Sequence, residues 1–224
     1  MAQRRPAGGD DRVKIIIIGP PRSGKTCVAN FLGGARDTPT EEYKETAPLR
    51  ILETVLEGLA AGGAGGRGRS RGVRATVELW DLGGNPRFQN CWGAVKKAAD
   101  GVIFVMNPEI EGQELELNFW HKNFVEGTPL TPERCLVFAH HSSAPQRATG
   151  AHARPEMPPC LRGSRVLETS LDFQSDNFKD ALEKLVEVTL AQRREAEENA
   201  AIRSADAMNG AIMRKEMDER LAAK

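Results

Sequence analysis

A stretch near the start of the sequence has the residue types and spacing needed to hold phosphate. Residues 19–26 read Gly-Pro-Pro-Arg-Ser-Gly-Lys-Thr and fit the pattern G-x-x-x-x-G-K-[ST] without a mismatch. Small residues let the backbone of such a loop curl so that its amides point at phosphate oxygens. The lysine is expected to reach the β- and γ-phosphates, and the threonine hydroxyl to ligate Mg²⁺. The predicted phosphate-binding residues are Gly19, Arg22, Ser23, Gly24, Lys25, Thr26 and Cys27.

A second candidate segment follows an apolar run later in the chain. Asp81 comes directly after Val-Glu-Leu-Trp at 77–80, and carboxylate oxygen is a preferred ligand of Mg²⁺. Gly84 closes the run Asp-Leu-Gly-Gly and has no Cβ to keep its amide away from a third phosphate. We therefore predict that Thr26 and Asp81 share one Mg²⁺ and that Gly84 contacts the γ-phosphate.

The apolar pattern predicts the elements that must position these residues. A nearly continuous β-branched run over 13–18 is typical of a central strand covered on both faces, and a short helix over 25–32 follows it. Strands and helices then alternate, which predicts an α/β fold with a mostly parallel six-stranded sheet and helices on both faces. The other predicted strands are 49–56, 73–80, 101–106, 134–139 and 165–169, and the other predicted helices are 93–98, 114–125 and one with Phe178, Leu182, Leu185 and Thr189 on one face.

The sequence also predicts how the chain divides. Residues 1–11 are expected to form a disordered leader, and 12–191 a single P-loop domain. Within it, the Gly-rich 58–72 and the Pro-rich 140–163 are expected to be insertions, the second where an α/β fold usually has a helix. Residues 192–224 are highly charged, and three states stay open for them: a solvated helix, a disordered tail, or a segment that a partner orders.

Composition narrows the classes of partner. The 31 basic residues balance the 31 acidic ones, so we expect no nucleic-acid ligand. The four cysteines are widely separated, which argues against a disulfide framework and favours a reducing compartment. Because there is no long apolar run, residue 2 is Ala and the last residue is Lys, we expect no direct membrane anchor.

The two motifs, in this order and one strand apart, resemble the first and third nucleotide-binding motifs of the Ras, Rab and Arf small GTPases over about 13–190. The resemblance implies a small GTPase fold that binds GTP or GDP with Mg²⁺. It also implies that Thr46, in the run Tyr-Lys-Glu-Thr at 43–46, closes on Mg²⁺ as part of switch I. Ser170, in the run Glu-Thr-Ser at 168–170, is implied to meet the guanine base through its backbone.

Two departures from that family bear on its chemistry. Asn85 stands where the family has a Gln that orients the attacking water, so we expect slow intrinsic hydrolysis. The family's guanine reader Asn-Lys-x-Asp is replaced by His-His-Ser-Ser at 140–143, and the lost carboxylate should lower guanine selectivity or affinity, since such a bond contributes about 1.5 to 3 kcal/mol. We expect His140 and His141 to form a loop beside the base.

Together with the missing lipid-anchoring end, these departures resemble the Rab-like GTPase of the intraflagellar transport B complex. That resemblance implies coiled-coil transport subunits as partners, and a location in the cilium or flagellum and basal body with a cytoplasmic pool. Three functions stay open at this point. The chain is a nucleotide-dependent binding module, a GTPase that a partner activates in trans, or a structural subunit with a vestigial nucleotide site.

Overall fold

Six strands form the central sheet of the protein in this computed structural model, which describes residues 11–35, 45–46, 48–60, 72–141, 157–170 and 176–222. They are β1 (Asp11–Ile18), β2 (Leu49–Leu59), β3 (Val73–Leu82), β4 (Gly101–Met106), β5 (Cys135–His140) and β6 (Arg165–Thr169). The strand order is β2-β3-β1-β4-β5-β6, and β2 runs antiparallel to β3 while every other neighbouring pair is parallel. The predicted six-stranded, mostly parallel sheet is confirmed.

The strand β1 lies in the middle of the sheet, and five of its eight side chains are apolar. Val13 and the four isoleucines 15–18 are fully buried, as expected for a parallel strand with both faces covered. Its neighbours are β3 on one side and β4 on the other. In α/β sheets a ligand crevice opens at the carboxyl end of the strands where the strand order reverses, and β1 ends there.

Two pairs of helices cover the sheet, one pair on each face. The helices α1 (Lys25–Leu32) and α4 (Asp176–Ala222) bury Val28, Leu32, Phe178, Leu182 and Val186 against one face. The helices α2 (Gln89–Lys96) and α3 (Gln113–Phe124) bury Trp92, Val95, Leu117, Trp120 and Phe124 against the other. The prediction of helices on both faces is therefore confirmed.

Some element bounds differ from the predicted ones. Asp11 belongs to β1 rather than to the leader, because it pairs with Ala75 of β3. The strand β2 runs two residues into the predicted insertion, and β5 includes His140, which was expected to lie in a loop. The remaining parts of the predicted leader and insertions, 1–10, 61–71 and 142–156, lie outside the described residues. A 3-10 turn at Pro159–Leu161 precedes β6.

The last helix continues well past the predicted end of the domain. It passes without a break through Asn209 and Gly210, since one glycine costs a helix only about 1 kcal/mol. It is fixed to the body near 192, where Arg134 Nε donates to Gln192 Oε1 at 2.6 Å and Arg193 Nη1 to the Arg12 carbonyl at 2.9 Å. Among the described residues, no helix is both long and apolar enough to cross a membrane.

Candidate functional site

The loop between β1 and α1 encloses a buried lysine. Gly24 caps α1 in a left-handed conformation with φ of 89°, and Lys25 begins the helix with 6% of its surface exposed. The Lys25 ammonium donates to the carbonyl of Gly19 at 2.9 Å and to that of Pro20 at 2.5 Å. Burial lowers the pKa of Lys25 to about 8 in spite of the attraction of Asp81 and Glu116. An ammonium group held this way can form charge-assisted hydrogen bonds to phosphate oxygens in place of those to the carbonyls.

Three oxygen-bearing side chains meet in front of this lysine. Thr26 Oγ1 lies 2.6 Å from Thr46 Oγ1 and donates to Asp81 Oδ2 at 3.0 Å. They come from the first turn of α1, from the segment before β2 and from the end of β3. Sequence reasoning proposed these three as magnesium ligands, and the structure brings them together.

The electrostatics of Asp81 favour a cation beside its carboxylate. Its side chain is fully buried, and desolvation raises the pKa of its carboxyl although Thr26, Lys25 and Arg50 stabilise the charge. Arg50 approaches Oδ2 only to 3.9 Å, and Oδ1 has no hydrogen-bond partner among the described residues. A buried carboxylate oxygen without a partner is costly, and Mg²⁺ takes hard oxygen ligands. The donor set therefore fits Mg²⁺.

The segment after β3 packs directly on the phosphate loop. A Cβ on Gly84 would stand 2.7 Å from Lys25 Nζ and 2.8 Å from the Pro21 nitrogen, so no larger residue fits there. Asn85 caps the 3-10 turn Pro86–Phe88, because its Oδ1 accepts from the Arg87 amide at 3.0 Å. The side chain oxygen that would orient a water is thus already engaged.

The carboxyl ends of β5 and β6 form another side of the site. His140 is the last residue of β5 and is 6% exposed, so the expectation that it lies in a loop is wrong. The pairing of β5 with β6 reaches Thr169, which draws His140 into the strand. His141 follows, with its amide bonded to the Thr169 carbonyl at 2.8 Å and its Nδ1 3.5 Å from Glu109 Oε1.

The other predicted site residues lie at different depths around the loop. Ser23 is buried and its hydroxyl lies 3.4 Å from Lys25 Nζ, whereas Arg22 is exposed with φ of 59°. Cys27 is half-buried in the first turn of α1, where burial raises the pKa of its thiol. Ser170 is buried directly after β6, on the same side of the site as His140.

Two residues that hold the site, Gln113 and Arg87, were not predicted from the sequence. Gln113, 3% exposed, donates from Nε2 to the Pro21 carbonyl at 2.9 Å and accepts at Oε1 from the Asn107 amide at 2.8 Å. It thereby ties the phosphate loop to the end of β4. Arg87 Nη2 donates to Glu45 Oε2 at 2.9 Å, and this ion pair links the segment that carries Thr46 to the segment that carries Gly84. No local pattern distinguishes either residue from an ordinary polar surface residue.

The chain is similar to known proteins of one family. The family model "Ras of Complex, Roc, domain of DAPkinase" matches residues 14–142. The chain is similar to intraflagellar transport protein 22 of Trypanosoma brucei brucei, at 48% identity over 201 residues covering 85% of this chain and 91% of that protein. It is also similar to the human intraflagellar transport protein 22 homolog, at 30% identity over 168 residues covering 75% and 84%.

Solved structures give the same result. A GTP-bound crystal structure of T. brucei IFT22/74/81 contains a chain with 48% identity and a TM-score of 0.66, covering 84% of this chain and 99% of that one. A GDP-bound crystal structure of T. brucei IFT22 has 46% identity and a TM-score of 0.62, covering 82% and 99%. The predicted small GTPase fold is confirmed by these matches.

Proposed function

This chain belongs to the intraflagellar transport protein 22 family of small GTPase-like proteins, and on that premise we propose that it binds GTP and GDP and acts as a nucleotide-dependent binding module in intraflagellar transport. One observation carries the proposal: a buried lysine cation faces a cluster of three oxygen donors at the end of the central strands. The relatives' GTP- and GDP-bound crystal structures support the same class of ligand.

Bound Mg²⁺ would neutralise charge on the β- and γ-phosphate oxygens. Thr26, Thr46 and Asp81 are the residues that would hold it, since their oxygens already lie within 3.0 Å of a common hydroxyl. Lys25 would bind the phosphates beside it, and the amides of 22–27 and of Gly84 would complete the cradle. The charges of Lys25 and Asp81, both desolvated in this chain, would then be matched by ligand charges.

The dependence on nucleotide would arise from two segments that meet over the third phosphate. Thr46 precedes β2 and Gly84 follows β3, so with GTP bound the Thr46 hydroxyl would ligate the cation and the Gly84 amide would meet the γ-phosphate, whereas with GDP neither residue would have that ligand. The Glu45–Arg87 ion pair at 2.9 Å joins the same two segments on the outside. A partner that contacts both segments would therefore distinguish GTP from GDP.

Hydrolysis is expected to be slow in the isolated protein. Asn85 is one methylene shorter than the Gln it replaces, and its carboxamide oxygen caps the turn that follows. Misplacement of a water by about 1 Å can lower a rate about a hundredfold. The chain would accordingly stay in its GTP state until a partner repositions Asn85 or supplies an arginine.

We propose coiled-coil subunits of the intraflagellar transport B complex as partners. The relative crystallised as IFT22/74/81 supports this choice, because that assembly contains IFT74 and IFT81. The proposed location follows from the partner: the cilium or flagellum and the basal body, with a cytoplasmic pool.

The test is a titration of the purified chain, loaded with GTP or GDP in Mg²⁺, into the purified complex of the IFT74 and IFT81 counterparts. We expect about tenfold tighter binding in the GTP state, a typical coupling between two sites. Thr46→Val should remove the difference because it loses the hydroxyl but keeps the shape, whereas Thr46→Ser should keep it. Equal binding of the GTP form, the GDP form and Lys25→Ala would instead support a structural subunit with a vestigial site.

A further inference from the structure

One buried histidine of the site contacts three separate parts of the fold. His140 ends β5 and is 6% exposed. Its Nδ1 lies 3.3 Å from the Thr169 hydroxyl at the end of β6, and its ring stands edge-on to Phe178 of α4 with centroids 5.8 Å apart. A side chain packed this way has one position, and that position is fixed from two sides.

The third contact is with the phosphate loop. A Cβ on Gly24 would stand only 2.3 Å from His140 Cδ2 and 3.2 Å from Nε2, so the imidazole lies directly against the backbone of that glycine. Gly24 is the cap of α1, and its carbonyl accepts from the Val28 amide at 3.0 Å. Lys25 and Thr26 are the next two residues of the chain, so whatever holds Gly24 also sets where their side chains begin.

The chemistry of the ring fits a packing role. Burial lowers the pKa of His140 to about 4, with His141 lowering it further and Glu109 opposing, so the imidazole is neutral near pH 7. A neutral ring attracts phosphate less than a cation does, and the nearby cation is Lys25. His140 is therefore suited to shape the loop rather than to bind the phosphates itself.

We propose that His140 is a positioning residue. Its ring packs against Gly24 and against the Thr169 hydroxyl, and it thereby fixes the phosphate loop for any nucleotide without contacting the base. The proposal rests on the proposed function, since it concerns the affinity of that same site. It assigns to His140 a different role from the base contact that the sequence suggested. Loss of this support for the loop should weaken the binding of every phosphate ligand equally. Loss of a base contact would instead change the ratio of the affinities for nucleotides with different bases.

The test compares the affinities of GTP, ATP and inorganic triphosphate in Mg²⁺ for the wild type and three variants, by calorimetric titration. His140→Ala should weaken all three ligands by the same factor of about ten, close to the loss of one good polar contact. His140→Asn should recover most of the affinity, because a flat polar group still reaches Thr169. Phe138→Leu is the matched control, since Phe138 lies two residues earlier in β5 and packs on the same Phe178 ring.

The outcomes separate this proposal from the proposed function. A changed ratio of GTP to ATP affinity in His140→Ala would overturn the positioning role and return His140 to the base. Unchanged affinities in His140→Ala, or an equal loss in Phe138→Leu, would reduce His140 to core packing and overturn it as well. A wild-type chain that binds none of the three ligands would overturn the proposed function and this inference together.

Discussion

The two ends of the nucleotide crevice are built from different kinds of residue. At the phosphate end, Thr26 donates to Asp81 at 3.0 Å and Lys25 donates to the Gly19 carbonyl at 2.9 Å, and both Lys25 and Asp81 are buried charges. At the β5–β6 end, the buried residues His140, Thr169 and Ser170 are uncharged or held neutral. Both charges are desolvated although they attract each other, so we expect a charged ligand at the phosphate end. We therefore expect phosphate and Mg²⁺, rather than the base, to supply most of the binding energy.

Removing the buried carboxylate should produce the largest effect. Asp81→Asn keeps the shape but loses the charge facing Mg²⁺, so affinity for GTP in Mg²⁺ should fall by about a hundredfold or more, as expected for a charge-assisted contact. The thermal midpoint should not fall with it, since desolvation already penalises this carboxylate. The matched condition is the same titration in EDTA, where wild type and variant should bind alike. An equal loss with and without Mg²⁺ would contradict the assignment of Asp81 to the metal.

The neutral state of His140 should make the stability of the protein depend on pH. His140 has a lowered pKa of about 4 in the folded chain against 6.5 when unfolded, so the unfolded state takes up its proton first as the pH falls. The stability that it contributes is complete above pH 6.5 and is lost progressively towards pH 4. The loss should reach about 3 kcal/mol. Denaturant unfolding of wild type and His140→Asn at several pH values measures it as a difference, and a difference that does not vary with pH would contradict the neutral state.

A smaller effect is expected on hydrolysis. Asn85→Gln adds the missing methylene and frees the carboxamide from its cap on Arg87, so single-turnover GTP hydrolysis should rise by about tenfold. Asn85→Asp is the control, because it keeps the capping oxygen but gains no reach. Wild-type hydrolysis as fast as that of the variant would favour the alternative of a competent GTPase, as would strong stimulation by the partner complex.

The sequence predicted the elements that flank the phosphate loop. The pattern of 19–26, preceded by an apolar strand, located the loop, and the helix after it has the predicted bounds Lys25–Leu32. The strands Gly101–Met106 and Arg165–Thr169 also have their predicted bounds, since each is a short apolar or β-branched run between turns. Local sequence is sufficient where a motif and its flanking elements depend on neighbours along the chain.

The β5–β6 end could not be predicted in the same way because it depends on contacts between residues that are distant in the sequence. His140 joined β5 through pairing with Thr169, which no local pattern signals. The helix α2 begins at Gln89, before the predicted position 93, because the 3-10 turn capped by Asn85 leads into it and Trp92 packs into the aromatic cluster with Trp120 and Phe124. The bounds of the helix were set by tertiary packing rather than by propensity.

Nucleotide binding is tested most directly by calorimetric titration of the purified chain with GTP, GDP and ATP in Mg²⁺, with Lys25→Ala as control. We expect micromolar or tighter binding of GTP, an ATP affinity within about tenfold of it, and loss of binding in the variant, because phosphate contacts dominate. Equal affinity of wild type and Lys25→Ala for GTP would contradict the assignment of Lys25 to the phosphate site. If the chain bound none of the three nucleotides, the proposed nucleotide-dependent function would be wrong and the fold would serve as a scaffold.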